Sequence, residues 1–186
     1  MNIYFAASTN QLEKNRDNFL AVIAAFKDAG HTVLESWVVE TLAGSKQTAT
    51  SQELVLKNTQ LVQESDLVVI DLSERSFGAG YIFGQALANH RPVLCLYPHD
   101  VPEQRISEIV KGSTSSLVTV RQYSPEKIDE IIRDYLAGIS LDSLRKFNFI
   151  ATEEIVKFIE QGADREGKSK SQYLRDLLHS TFIAKK

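Results

Sequence analysis

Apolar residues gather in five short runs over the first 140 positions: NIYFAAS (2–8), HTVLES (31–36), DLVVIDLS (66–73), PVLCLY (92–97) and SLVTVRQY (116–123). Between them, apolar residues recur at helical spacing over 11–29, 51–65, 80–90, 103–111 and 125–137. Short strands alternating with helices predict an α/β fold, a doubly wound parallel sheet of five strands with helices on both faces. VVI and VLCL are continuous apolar runs, as strands covered on both faces require. Ligands of such sheets sit beyond the carboxyl ends of the strands. That places AASTN (6–10), the 37–50 segment, LSERSFGAGY (72–81) and YPHD (97–100) around one mouth. The 37–50 segment is long and polar and reads as a mobile loop.

The pattern changes after the helix predicted at 125–137, which Ser124 caps, Pro125 and Glu126 open and Gly138 ends. KFNFIAT (146–152) alternates apolar and polar residues over one short strand. TEEIVKFIEQGADREG (152–167) carries Ile155, Phe158, Ile159 and Ala163 on one stripe, and Gly167 closes it. SKSQYLRDLLHSTFI (169–183) follows, with Leu174, Leu177, Leu178 and Phe182 on one face. One strand and two helices bury too little surface to stand alone, and a lone strand leaves its edges unpaired. A second copy of the unit from another chain is the simplest repair. The sequence therefore divides into an α/β domain at 1–140 and a small domain at 144–186.

Composition narrows the setting. Hydrophobic residues at 43% and charged residues at 24% fit an ordinary globular protein. No apolar stretch is long enough to span a bilayer, and MNIYFAASTN lacks the basic region of a signal peptide. The single cysteine, Cys95, lies in an apolar run and reads as a core thiol of a cytoplasmic protein. His31, His90, His99 and His179 show no metal spacing, and no cofactor is expected. Residues 141–186 hold 9 Lys+Arg against 7 Asp+Glu, whereas residues 1–140 hold 12 against 17. A mildly acidic body with a mildly basic tail is compatible with a nucleic-acid module at the C-terminal end.

YFAAS, ESDLVVIDLSERSFGAGYIFGQALANHRPVLCLY and ISEIVKGSTSSLVTVRQY resemble, in order and spacing, the nucleoside 2-deoxyribosyltransferase superfamily. The closest likeness is to the 2'-deoxynucleoside 5'-phosphate N-hydrolases. The resemblance implies a Rossmann-like or flavodoxin-like sheet and a pocket for a nucleoside or nucleotide. It also implies cleavage or transfer at the N-glycosidic bond by a glutamate in Gly-x-Gly-Tyr-Glu-x-Gly, assisted by an aspartate. Here that motif reads Gly78-Ala79-Gly80-Tyr81-Ile82-Phe83-Gly84, and the aspartate falls on Asn58. Isoleucine has no lone pair to form a glycosyl bond, and a neutral amide is no general base near pH 7. The expectation is a pocket kept and chemistry dropped, with no catalytic residue assigned. Asp71 and Glu74 stand nearby as substitutes. Tyr4 and Ser8 match the first strand and phosphate turn. Asn10 stands where the family often has a basic residue, and Ser107 matches a serine offered to the phosphate across a dimer interface. The ligand set is thus Tyr4, Ser8, Asn10, Asn58, Gly78, Gly80, Ile82 and Ser107.

RKFNFIATEEIVKFIEQGADREGKSKSQYLRDLL resembles the ribbon-helix-helix DNA-binding domains of the Arc and CopG type. The resemblance implies two paired strands in the major groove, with Lys146, Asn148 and Ile150 facing bases and Phe147, Phe149 and Ala151 facing a dimer core. Ser169, Lys170 and Ser171 open the second helix toward a phosphate, and Arg145 adds a backbone contact. Together the two halves read as a DNA-binding transcriptional regulator with a degenerate nucleotide-sensor domain. Its partners would be double-stranded DNA and a small nucleotide or nucleoside, on a homodimer or higher even oligomer. Two alternatives stay open: an active deoxynucleoside or deoxynucleotide N-glycosidase or deoxyribosyltransferase, and an antitoxin-like partner-binding module.

Overall fold

The computed structural model describes residues 1–34, 36–45, 49–139 and 151–183. Its five strands are β1 (Asn2–Ala6), β2 (Thr32–Val33), β3 (Leu67–Asp71), β4 (Val93–Pro98) and β5 (Val118–Tyr123), all parallel, in the order β2-β1-β3-β4-β5. This is the flavodoxin-like order, whose direction reverses between β1 and β3. The doubly wound sheet read from the apolar runs is the observed one. The helices are α1 (Leu12–Asp28), α2 (Trp37–Leu42), α3 (Ser51–Glu64), α4 (Phe77–Ala88), α5 (Glu108–Lys111), α6 (Ile128–Gly138), α7 (Glu153–Glu166) and α8 (Lys170–Ile183).

Strand alternation sorts the core into two layers. Ile3, Phe5, Leu67, Val69, Leu94 and Leu96 pack under α1, α2 and α6, where Phe19, Val22, Phe26, Leu42 and Ile132 are buried. Tyr4, Ala6, Val68, Ile70, Val93 and Cys95 face the other way, against Val62 of α3, Ala79, Ile82 and Ala86 of α4 and Val110 of α5. Cys95 is a buried free thiol whose pKa is pushed up to about 12 by that burial.

Three local readings change. The 37–50 segment is not a plain loop, because α2 forms inside it. Ser36 caps α2 by accepting from the Val39 N–H at 3.5 Å, and its hydroxyl donates to the Phe5 carbonyl at 2.6 Å. Val38 and Leu42, four residues apart, are buried against the sheet. The helix predicted at 80–90 begins earlier. α4 starts at Phe77, capped by Ser76, so Gly78, Gly80 and Gly84 are helical. The predicted helix at 125–137 begins as a 3-10 turn at Pro125–Lys127 and becomes α-helical at Ile128.

The chain divides into two units, Met1–Lys146 and Phe147–Lys186. In the second, α7 and α8 occupy the two predicted helical stretches. Gly167 joins them at φ 64°, a left-handed cap that favours glycine. Tyr173 lies against Gly162, where any side-chain carbon would collide with the ring, and Phe158 packs on the same ring at 6.3 Å. Of the predicted apolar stripe of α7, Ala163 is buried, while Ile155 and Phe158 are exposed. Except for its last two residues, which are not in a strand, the ribbon predicted at 146–152 lies outside the described residues. So does the expected boundary between 140 and 144.

The Phe5–Phe19 edge-to-face pair, 5.8 Å between ring centres, ties β1 to α1. Phe19→Ala is expected to destabilise the first unit by roughly 3–5 kcal/mol, because both rings are fully enclosed. Urea unfolding followed by far-ultraviolet circular dichroism measures this.

Candidate functional site

The reversal of strand order opens a cleft between the carboxyl ends of β1 and β3. A cavity of about 150 Å³ lies there, bounded by Tyr4, Ala6, Ala7 and Thr9 from the first strand and its loop. Trp37 and Val38 of α2 and Leu54, Val55 and Asn58 of α3 form a second wall, and the cap Ser76 with Gly78, Ala79, Tyr81 and Ile82 of α4 closes it. The chain's one tryptophan therefore stands in the cleft. Its side chains are apolar or neutral throughout.

The polar groups of this cavity are tied to each other. The Tyr4 hydroxyl donates to the Asn58 Oδ1 at 2.6 Å, and the Trp37 N–H reaches the same oxygen at 3.5 Å. The Asn58 amide donates in turn to the Leu54 carbonyl at 2.7 Å. Burial holds the Tyr4 hydroxyl far above its ordinary pKa, so it is a neutral donor. Ile82 is buried in the same core cluster as Tyr4, Ala79 and Ala86 and serves as core as well as lining.

A second, larger cavity of about 630 Å³ lies on the other side of the first turn of α4. Ser76 and Ala79 border both. Its lining adds Glu74, Arg75, Gly80, Gln104, Arg105 and Ser107. Glu74 meets Arg105 at 3.5 Å and Lys14 at 3.6 Å.

Asp71 borders neither cavity. It is 1% exposed at the end of β3 and accepts from the Tyr123 hydroxyl at 2.8 Å, from the Ser73 N–H at 2.8 Å and from the Ser73 hydroxyl. Burial raises its pKa to about 6, against the opposing pull of the Ser73 and Tyr123 hydrogen bonds. The carboxylate thus fastens the β3–α4 loop to β5, and its donors leave it no reach toward a ligand.

The sequence-derived ligand set splits on this geometry. Tyr4, Asn58, Gly78 and Ile82 line the small cavity, and Gly80 and Ser107 line the large one. Ser8 and Asn10 border neither. Ser8 is buried and accepts from the Asn10 N–H at 3.2 Å, a local turn contact. Trp37, Leu54, Val55, Tyr81 and Arg105 join the site unannounced. The Ser36 cap followed by Val38 and Leu42 was the one signal for α2, and it was submerged in a polar segment.

Of the residues expected to touch DNA, Arg145, Lys146, Asn148 and Ile150 lie outside the described residues. Ser169 precedes α8, which Lys170 and Ser171 open. Lys170 is held by Glu160 of α7, so its ammonium is already neutralised within the unit. Lys168 is shared in the same way between Glu166 and Asp176. Among the described residues, no helix is long and apolar enough to cross a membrane, and no cluster of His, Cys, Asp and Glu could hold a metal.

The family profile of the nucleoside 2-deoxyribosyltransferases matches residues 3–129. A protein of Methanosarcina mazei that carries the name 2'-deoxynucleoside 5'-phosphate N-hydrolase 1 is 29% identical over 140 residues, covering 74% of this chain and 84% of its own length. The 5-hydroxymethyl-dUMP N-hydrolase of Danio rerio is 22% identical, covering 75% and 99%. The CMP N-glycosidase of Clostridium botulinum shares the fold with a TM-score of 0.53 at 18% identity, covering 72% of this chain and 98% of its own. These findings correct the reading of a DNA-binding transcriptional regulator. The relatives are named for nucleotide hydrolysis, and the matched segment contains both walls of the cleft. With the regulator reading go the expectation of double-stranded DNA as the partner and the reading of a pocket kept with its chemistry dropped, since these relatives are named as enzymes acting on nucleotides.

Asp71 makes stability depend on pH in a stated direction. Its folded pKa of about 6 lies above the ordinary 3.8, so its contribution is fully present below pH 3.8 and is lost as pH rises through 6. The two values convert to a loss on the order of 3 kcal/mol. The stability of Asp71→Asn relative to the parent is therefore expected to rise between pH 4 and pH 7, measured by urea unfolding at each pH. A difference that stays constant across this range contradicts the assignment.

Proposed function

The chain belongs to the nucleoside 2-deoxyribosyltransferase family, and on that premise we propose that its first unit takes a nucleoside or nucleoside 5'-phosphate into the switch-point cleft and hydrolyses its N-glycosidic bond. One observation carries the reading. Tyr4, Trp37, Tyr81 and the aliphatic side chains around them make a slot for a planar ring at the carboxyl edge of the sheet, within the segment matched to the family.

The route differs from the one the resemblance implies. At the nucleophile position Ile82 offers only hydrocarbon, and at the assisting position Asn58 spends its amide on Tyr4 and Leu54. A glycosyl-enzyme bond at position 82 is therefore excluded. What remains is direct displacement by water. The water oxygen bonds to the anomeric carbon as the bond to the base nitrogen breaks. The water's proton passes to a carboxylate, and the base leaves with a proton from solvent. Asp71 is fastened elsewhere, and Glu108 is exposed and paired with Lys111. Glu74, with its side chain 11% exposed in the adjoining cavity, is the carboxylate we assign to this proton.

We read the second unit as a ribbon-helix-helix-type helix pair, supported by the placement of α7 and α8 and by the left-handed Gly167 between them. The lone, unpaired Cys95 fits a reducing compartment, and we place the chain in the cytoplasm.

Incubation with deoxynucleosides, deoxynucleoside 5'-monophosphates and CMP, followed by chromatography of the free base, tests the reaction. Base release above the buffer rate is expected from at least one substrate. The paired substitution Ile82→Glu with Asn58→Asp restores both carboxylates and should raise the rate by about 100-fold or more, the contribution of a well-placed acid–base group. No release by the parent chain from any of these substrates would end this reading.

A further inference from the structure

Two cations converge on one carboxylate beside the larger cavity. Lys14 comes from the first turn of α1, Arg105 from the 3-10 turn Glu103–Arg105 after β4, and Glu74 from the β3–α4 loop between them. The Lys14 and Arg105 side chains are 61% and 52% exposed, whereas Glu74 is 11% exposed. Both contacts are long for ion pairs, at 3.6 and 3.5 Å. Lys57–Glu40 in the same unit closes to 2.6 Å and Lys111–Glu108 to 2.9 Å. Arg75 adds a third positive group to the cavity that Glu74 and Arg105 line. A carboxylate held loosely between two solvent-facing cations resembles an anion site with an internal occupant.

We propose that Lys14 and Arg105 form a phosphate-recognition pair in which Glu74 is a displaceable resident. This rests on the nucleotide reading of the cleft. Neither cation belongs to the set of Ser8, Asn10 and Ser107 that the sequence resemblance pointed to, and Asn10 contributes no charge. A phosphate monoester carries close to two negative charges and three acceptor oxygens, against one charge and two oxygens on the carboxylate. It therefore outcompetes Glu74 for both cations. The released carboxylate is then free in the cavity that adjoins the cleft at Ser76 and Ala79. Recognition of the phosphate and liberation of the carboxylate become one event.

Trp37, the single tryptophan, reports ligand in the cleft by fluorescence. Titrations compare each deoxynucleoside with its 5'-monophosphate. Lys14→Met and Arg105→Met should each weaken the monophosphate by about tenfold, the size of one charge-assisted contact, and leave the nucleoside unchanged. Glu74→Gln removes the resident and should tighten the monophosphate several-fold. The advantage of the monophosphate should shrink as salt is raised. Equal losses for nucleoside and monophosphate, or a weaker monophosphate with Glu74→Gln, would overturn the proposal. A second probe separates it from the reading beneath it: 2-deoxyribose 5-phosphate, followed by the NMR signal of the Arg105 side-chain N–H. A shift there supports the anion pair whether or not the base slot holds, because this probe carries no base. An unmoved Arg105 rejects the anion pair, whatever Trp37 does.

Discussion

A buried carboxylate at the end of the third strand holds the working edge of this protein together. Asp71 gathers the Tyr123 hydroxyl and both donors of Ser73 around itself where water cannot reach. Tyr123 ends β5, and Ser73 begins the loop that leads into α4, so one side chain fixes that loop across the sheet. Every residue that borders both cavities lies on this loop or on the helix it feeds. The burial raises the Asp71 pKa, and the three donors oppose that rise. The balance between the two sets how firmly the loop is held near neutral pH.

Packing and chemistry compete for the same positions on α4. Ile82 belongs to the buried layer that holds Tyr4, Ala79 and Ala86, and the same residue lines the cleft. A carboxylate there would face an apolar surround and need a partner. With isoleucine in place the core closes without one. Asn58 shows the same economy. Its amide joins α3 to β1 through Tyr4 and to its own helix through Leu54, and a neutral group makes both contacts without burying a charge. The cleft is therefore shaped by hydrophobic and neutral contacts, while the charged groups Glu74, Arg75, Arg105 and Glu108 line the adjoining cavity.

The second unit follows a different rule. Two helices alone bury little, and here Gly162 lets the Tyr173 ring sit against α7 while Ile155, Phe158 and Leu178 stay in solvent. Among its described residues, Lys170 pairs with Glu160 and Lys168 with Glu166 and Asp176. A count of positive residues in the tail exaggerates the charge offered to a polyanion, because neighbouring acids on the paired helix absorb it.

Strand periodicity by itself determined the doubly wound sheet, since runs such as VVI and VLCL are stable only when both faces are covered. Helical spacing likewise determined the stretches that became α1, α3, α7 and α8, because their apolar residues recur once per helical turn. The ordered motifs of the first 129 residues pointed to the family. What only the tertiary structure decided was long-range company. That Asp71 faces Tyr123, fifty-two residues away, and that Lys14 and Arg105 meet at Glu74, depends on crossovers that bring distant strand ends together. The sequence spacing of such residues carries no signal, because the helices between them set the separation and the parallel order of the sheet sets the meeting point.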